Sequence, residues 1–523
     1  MVNGTRFFHV TAAVLAVLLV AAHVRRCHAA NILAVETVPG RSHWNFMSAV
    51  LRALTNRGHR VVAYTSYPGD DDRDNYTEID TSHVLQRHSG ESVSSLFYDY
   101  NRLSYFVPSV VQWSRQFCDA IYDMKQIRAI MTNGSTEFDL LVTEPLGSEC
   151  VSHLATAVGL PMIYVVPSPM ISYMQPSIIG HAANPAYVPH LLYGSRLNTF
   201  HHRLANTAVY AYGQLVRWYA ERTSHWRPYD TANKAKPSVV LVNSHHITEP
   251  AMPLAPNIVH VGGIHLSKPP RQIPQNILKF IENSPNGVIY FTFGSVVDMS
   301  TLPEHIQNTF KNVFRQIPQR VLWKYEGEMK DKPDNVITGT WFPQREILLH
   351  PNVKLFISHG GISGVYEAID GGVPVLGFPV YYDQPRNLQN LVAAGMAITM
   401  DLMTVEESEL LVSIKELLFN ANYTKNAQIN SRRFKDRPVS LENLVVYWTE
   451  YVLRHNGAHH LKSDALNLAW YQYLLLDVIA VVSVAFLVVV YLFCKITKAA
   501  STLASKLLRD ALMASAANKI KGE

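Results

Sequence analysis

Short apolar runs alternate with helical patterns along most of this 523-residue chain. Residues 31–37, 61–65, 138–143 and 161–166 read as strands, and a second series reads so at 239–243, 258–261, 288–293, 320–325, 336–340, 353–357 and 374–378. Between the first two runs, Phe46, Met47, Val50, Leu51 and Leu54 recur at helical spacing and stop near Gly58, which makes a strand–helix–strand unit. Few architectures accept that alternation. Parallel strands need helical crossovers, and the crossovers cover both faces of the sheet. The stretch "VGGIHLSKPPRQIP", residues 261–274, breaks the pattern and reads as a hinge between two α/β domains, 30–262 and 263–455. Ligands of open parallel sheets bind beyond the carboxyl ends of the strands, so two facing domains imply a cleft with a site on each side.

The ends of the chain read differently. Residues 10–22, "VTAAVLAVLLVAA", are too short to span a bilayer and follow Arg6, and Cys27-His28-Ala29 offers small residues for cleavage. Residues 1–29 therefore read as a signal peptide, with an N-terminal anchor as the alternative. The run "YQYLLLDVIAVVSVAFLVVVYLFC" from Tyr471 is long enough to span, with the span set at 473–494 and Asp477 near its start. Lys495 and Lys498 follow it, which places the tail 495–523 in the cytosol and the body on the lumenal side of a type I protein. Leu503, Leu507, Leu508, Ala511 and Leu512 have helical spacing suited to a membrane surface. Lys519 and Lys521 have the spacing of a dilysine signal read by coat proteins, which implies the endoplasmic reticulum membrane.

The formal charge of +5 is concentrated at those ends. Arg6, Arg25 and Arg26 bring +3 and the segment from Lys495 brings +4, leaving −2 on the body. A body that is not basic argues against nucleic acid as partner. Only Cys118 and Cys150 face the lumen in this topology, enough for one disulfide and too few for a disulfide scaffold. No Cys/His cluster has metal-ligand spacing, and no metal is read. Sequons at Asn75, Asn133 and Asn422 fit a secretory-pathway glycoprotein.

Chemistry concentrates in "WFPQREILLHPNVKLFISHGGISGVYEAIDGGVPVLGFPVYYDQ", residues 341–384. The strand-like 353–357 runs into Ser358-His359-Gly360-Gly361 and then a helix, a ready anion site. Trp341 offers a flat ring for a base and Gln344 an amide for its edge. His359 and the amides at Gly360 and Gly361 face a phosphate position, Glu367 suits ribose hydroxyls, and Asp383 and Gln384 suit a sugar. Together they would grip a nucleotide-sugar.

This run closely resembles the signature of the UDP-glycosyltransferase family, with Trp, Gln, the His-Gly-Gly turn, Glu and the Asp-Gln pair in matching order and spacing. The resemblance extends over nearly the whole chain, through "GSVV" at 294–297 and "LDVIA" at 476–480, and looks closest to arthropod microsomal members. It implies a GT-B fold: α/β, two Rossmann-like parallel-sheet domains facing a cleft, plus one C-terminal transmembrane helix. The donor would sit in the C-terminal domain and the acceptor in the N-terminal one. It also implies Ser295, Lys324, Ser363 and Gly364 at the diphosphate, with Ser363 standing where many vertebrate members have Asn. His43, in "VPGRSHWNF", matches the family's catalytic base, a role that suits a group titrating near neutrality. The family's orienting aspartate falls on Glu144 in "FDLLVTEP"; Asp139 begins that strand and belongs at its far end. The implied reaction is inverting transfer of a hexose, UDP-glucose favoured over UDP-glucuronate, to a hydroxyl of a small lipophilic acceptor. UDP-sugar is a co-substrate, so no cofactor is expected, and a homo-oligomer is left open.

Other readings are weaker. "GDDDRDN", residues 69–75, has the Asp-x-Asp spacing of metal-dependent transferases but reads better as a solvated acidic loop. "GGISG" lacks the glycine spacing of a dehydrogenase. A non-catalytic lipophile-binding protein on the same fold is the remaining alternative. The aromatic segment 97–122 (Phe97, Tyr98, Tyr100, Tyr105, Phe106, Trp113) and the Pro/Met-rich segment 167–193 are expected to wall the acceptor site.

Overall fold

The computed structural model describes residues 29–69, 73–134, 137–193, 197–223, 227–231 and 234–520. Residues 1–28, Asp70, Asp71, Asp72 and Lys521 lie outside them, as does the side chain of Lys519. The signal peptide, the acidic loop and the dilysine spacing therefore fall outside the described structure. The chain divides into two units, Met1–Ser463 and Asp464–Glu523.

The first unit holds two parallel sheets. From the first come β1 (Asn31–Val35), β2 (Arg60–Thr65), β3 (Tyr76–Asp80), β5 (Leu140–Thr143), β6 (Met162–Val166), β7 (Val239–Val242) and β8 (Ile258–His260), with the two-residue β4 (Glu91–Ser92) standing apart. The second half supplies β9 (Val288–Thr292), the short β10 (Val297–Asp298), β11 (Arg320–Lys324), β12 (Val336–Gly339), β13 (Val353–Ser358), β14 (Val375–Gly377) and β15 (Ala397–Thr399). The seven-stranded sheet has order β3-β2-β1-β5-β6-β7-β8 and the six-stranded one β12-β11-β9-β13-β14-β15. Among the described residues the strands pair in parallel, β1 meeting β5 from Ile32↔Leu140 to Val35↔Thr143 and β9 meeting β13 up to Thr292↔Ser358. β5 and β9 are buried throughout, and β1 and β13 are so except at Asn31 and the exposed Lys354, which is why these strands read mainly as apolar runs rather than as alternation.

The helix Arg41–Asn56 shows how the sequence sets the layers. Phe46, Met47, Val50, Leu51 and Leu54 are all buried with Ile32, Ala34 and Val142 of the first sheet. Its C-terminus is closed by backbone bonds from Arg57 and Gly58 to Leu54 and Thr55.

Each sheet also recruits a segment from across the chain. β4 pairs in parallel with β10, Glu91 opposite Val297. The helix Val93–Tyr100 that follows buries Val93 and Leu96 among Phe291, Phe293 and Met299 of the second sheet's core. In the other direction, the helix Leu441–Arg454 buries Leu441, Val445 and Val452 with the first sheet.

The second unit is mainly one helix, Leu476–Ile520, preceded by the short helix Trp470–Tyr473. Its Leu476–Ala516 segment, mean hydropathy 2.7 in its most apolar window, is long and apolar enough to cross a membrane. Tyr473, expected inside the span, belongs instead to the short helix.

Candidate active site in the inter-sheet cleft

His43 lies in the first turn of Arg41–Asn56, just past the carboxyl end of β1. Glu144 directly follows β5, the neighbouring strand in the sheet. Adjacent parallel strands thus deliver an imidazole and a carboxyl to the same end of the sheet, His43 Nδ1 and Glu144 Oε1 being 2.6 Å apart. The side chain of His43 is 24% exposed and that of Glu144 only 2%. Burial alone would lower the imidazole's pKa, but the Glu144 carboxylate and its hydrogen bond outweigh it, so His43 titrates above its ordinary value. Asp139 sits at the opposite end, where its Oδ2 accepts from the amide of Asn31 at 2.8 Å.

A second carboxyl lies close by. Glu36, at the end of β1, accepts from Thr65 Oγ1 at 2.5 Å and from Ser66 N at 3.0 Å. Burial pushes its pKa up to about 8, so it is protonated at neutral pH.

Across the cleft, β13 ends at Ser358 and the chain turns through His359, Gly360 and Gly361 into the helix Ile362–Gly371. Gly360 has φ +87°, and a Cβ there would lie 2.4 Å from Leu388 Cγ; at Gly361 a Cβ would lie 2.7 Å from His359 Nε2. Only glycines let this turn close around the imidazole. Gly361 is the N-cap and makes no side-chain cap bond, so the helix presents its first amides to a ligand. Burial, with the charge of Lys324 adding to it, lowers the pKa of His359 to about 4. It is therefore neutral at pH 7, an imidazole able to hydrogen-bond but not a cation.

The remaining expected residues gather here. His43, Ser295, Lys324, Trp341, Gln344, His359, Gly361, Ser363, Gly364, Glu367, Asp383 and Gln384 all line one cavity of about 420 Å³. Several are already engaged with one another. Gln344 Nε2 donates to Glu367, whose carboxyl burial raises to about 7. Lys324 pairs with Glu326, a partner the sequence analysis did not identify. Asp383 accepts from Asn387 at 2.8 Å and is raised by burial to about 6. Gln384 Oε1 accepts from the amides of Val380 and Tyr381 at 2.8 and 3.0 Å, so its amide nitrogen is the group left for a ligand. Trp341 is 60% exposed, with the Arg41 guanidinium 5.2 Å from its ring centroid. Arg41 was missed because a helix-start arginine carries no motif; only the fold brings it to the tryptophan.

On the His43 side a small cavity of about 20 Å³ is walled by Leu146, Met170, Ile171, Met174 and Ile178. Segment 167–193 supplies Pro167, Ser168, Met170, Ile171, Met174 and Ile178 of that lining. The aromatic segment 97–122 contributes none of that cavity's lining. The β4–β10 pairing draws Phe97 and Tyr100 against the second sheet's core, while Tyr98 is exposed. A separate cavity of about 180 Å³ near Glu249 and Arg386 shares no lining residue with the main cleft and lacks the glycine turn.

Cys118 and Cys150 form a disulfide, closing the question the sequence left open. The amide nitrogen of Asn75, which would carry a glycan, donates to Thr55 O and His59 O at 2.8 and 2.9 Å; Asn422 is exposed. The side chain of Asn133 lies outside the described residues. No group of three or more His, Cys, Asp or Glu side chains able to hold a metal occurs among the described residues.

Two facing parallel sheets with a nucleotide-sized cleft define a glycosyltransferase of the GT-B class. The chain belongs to the UDP-glucoronosyl and UDP-glucosyl transferase family, whose model matches residues 32–508. It is 35% identical over 489 residues to UDP-glucosyltransferase 2 of Dactylopius coccus, covering 90% of this chain and 92% of that protein. It is 31% identical over 488 residues to human UDP-glucuronosyltransferase 2A2, covering 86% and 89%. Among solved structures, the glycosyltransferase VinC in complex with dTDP matches with TM-score 0.53 at 16% identity, over 81% of this chain and all of that one, which shows the fold. The protein is a UDP-dependent hexosyltransferase.

Proposed function

We propose that this enzyme transfers glucose from UDP-glucose to a hydroxyl of a small lipophilic acceptor, with inversion. The observation that carries the reading is the His43–Glu144 pair, of which His43 lines the same cleft as the uncapped helix start at Gly361. His43 takes the acceptor's hydroxyl proton while Glu144 holds the ring and stabilises the imidazolium. The acceptor oxygen bonds to the anomeric carbon as that carbon's bond to the β-phosphate oxygen breaks. Negative charge then grows on the departing UDP. The amides after Gly361, neutral His359 and Ser295 receive it by hydrogen bonding, with Lys324 behind them. Trp341 stacks the base, Gln344 and Glu367 hold base edge and ribose, Asp383 and Gln384 the sugar hydroxyls. Glucose is favoured by the likeness to the Dactylopius coccus glucosyltransferase, glucuronate by that to the human glucuronosyltransferase. The apolar C-terminal helix supports a membrane-anchored enzyme; the endoplasmic reticulum, a lumenal body and a coat-protein-read tail complete the reading.

The test offers membrane-expressed protein UDP-glucose, UDP-glucuronate and UDP-N-acetylglucosamine with phenol and steroid acceptors, and reads product mass. A hexose adduct that disappears in His43→Ala is expected. A glucuronyl adduct alone would overturn the donor, and undiminished transfer by the variant would overturn the base.

A further inference from the structure

The loop after β14 ends in Tyr381-Tyr382-Asp383, and its middle residue has φ +60°. That is the left-handed region, costly for a bulky side chain with no glycine to relieve it. Such strain persists only where the surroundings hold it, and it gathers at functional sites. Here the surroundings come from the other half of the chain. The phenol oxygen of Tyr382 lies 3.3 Å from Ser168 Oγ, and its ring centroid lies 5.8 Å from that of Phe106. Asn101 Nδ2 donates to Val380 O at 2.8 Å, and the rings of Tyr100 and Tyr381 pack 5.4 Å apart. The backbone is bent at 382 and latched on both sides, and the result places one ring. That ring lines the main cleft and also the small apolar cavity beside His43 and Glu144.

We propose that Tyr382 is an acceptor-specificity residue supplied by the C-terminal half, and that its ring restricts transfer to slender acceptors such as single-ring phenols. The proposal rests on the reading of His43 as the base that the acceptor must reach. With a donor filling the main cleft, the space left beside His43 and Glu144 is the small cavity of about 20 Å³, far below what one ring requires, since a void of roughly 150 Å³ takes benzene. An acceptor must therefore press against its walls. Met170 and Met174 on the far wall are unbranched and yield readily. Tyr382 is fixed by its backbone, its hydrogen bond and its ring contact, so it sets the limit. Asp383, next in sequence, lies in the donor pocket, and the two substrates therefore meet at adjacent residues of one loop.

The test compares wild type with Tyr382→Gly, which accepts the backbone without strain, and Tyr382→Phe, which keeps the ring and loses the bond to Ser168. Phenol, 2-naphthol and a four-ring steroid phenol are titrated by calorimetry with UDP bound, and kcat/KM is measured with the active donor. Tyr382→Gly should raise the preference for steroid over phenol at least tenfold, with UDP affinity within twofold of wild type. Tyr382→Phe should keep the wild-type order. An unchanged preference in a Tyr382→Gly protein that still binds UDP would overturn the proposal, as would an equal change in Tyr382→Phe. Wild type that binds these phenols but transfers no sugar to them defeats the catalytic reading instead, while the binding preference still decides the role of the ring. If neither wild type nor Tyr382→Gly binds any of the three, the proposal fails.

Discussion

Glu144 Oε1 sits 2.6 Å from His43 Nδ1, and the two side chains come from adjacent parallel strands at the same sheet end. A proton on Nδ1 shared with that carboxyl leaves Nε2 as the basic nitrogen. The end of β5 brings the Glu144 carboxyl to the imidazole. Glu144→Gln should therefore lower kcat by about 10²–10⁴, with KM for UDP-sugar little changed. Since Glu144 raises the pKa of His43, its loss should also move the acid limb of kcat/KM to lower pH. Full kcat with an unmoved limb would remove Glu144 from the mechanism.

Glu36 makes stability depend on pH in a direction opposite to most carboxyls. Its folded pKa is raised from 4.5 to about 8, so over that window the folded protein keeps a proton the unfolded chain has released. The stabilisation is complete below pH 4.5 and is lost as pH rises toward 8, at up to about 1.4 kcal/mol per pH unit for one group. Glu36→Gln keeps an oxygen for Thr65 and Ser66 and cannot ionise. Denaturant unfolding at pH 5 and pH 8 should show the variant gaining on wild type at the higher pH. Parallel curves would mean that Glu36 is charged in the fold.

Most of the layered fold was legible in the sequence, and so was the set of residues that gathers in the main cleft. β9 is buried on both faces, and so are β11 past Arg320 and β13 past Lys354, and apolar runs of that kind mark such strands. The glycine turn at 359–361 was readable because chemistry dictates its residues in order. Short edge strands escaped: β3 alternates burial weakly and β15 has three residues, so neither has an apolar run to detect. The exchange of β4 and its helix with the second sheet was invisible too. It depends on a two-residue pairing more than 200 positions apart, and it is why the aromatics at 97–100 left the acceptor wall. Arg41 meets Trp341 through tertiary contact alone; Glu326 and Tyr382 sit beside expected residues but carry no motif of their own.

Cys118 lies in the helix Leu103–Tyr122, and Cys150 follows β5 six residues after Glu144. Their bond ties that helix to the loop beyond the Glu144 strand. With the partners 32 positions apart, loop-closure entropy assigns it about 3–4 kcal/mol. Paired Cys118→Ala and Cys150→Ala substitutions should lower the denaturant midpoint accordingly, and reductant should do the same to wild type only. Turnover per folded molecule should change little, since neither cysteine lines the cleft. A reductant effect that persists in the double variant would show that this bond is not its target.

Trp341 is the one large aromatic lining the main cleft that is left mostly exposed, at 60%. Its neighbours explain the exposure. Pro343 and the helix Gln344–Leu349 follow at once, and Gln344 turns its amide inward to Glu367. The indole is left at the mouth, with the Arg41 guanidinium beside it. An exposed flat ring next to a base-pairing amide is suited to stacking a uracil. Base stacking on an aromatic contributes about 1–3 kcal/mol, so Trp341→Ala should weaken UDP roughly 5- to 150-fold. Trp341→Phe should recover most of that loss. The change should appear in Kd for UDP and in KM for UDP-sugar, with kcat at saturating donor nearly kept, because the base is gripped equally before and during transfer. Equal UDP affinity in Trp341→Ala would place the base elsewhere in the cleft.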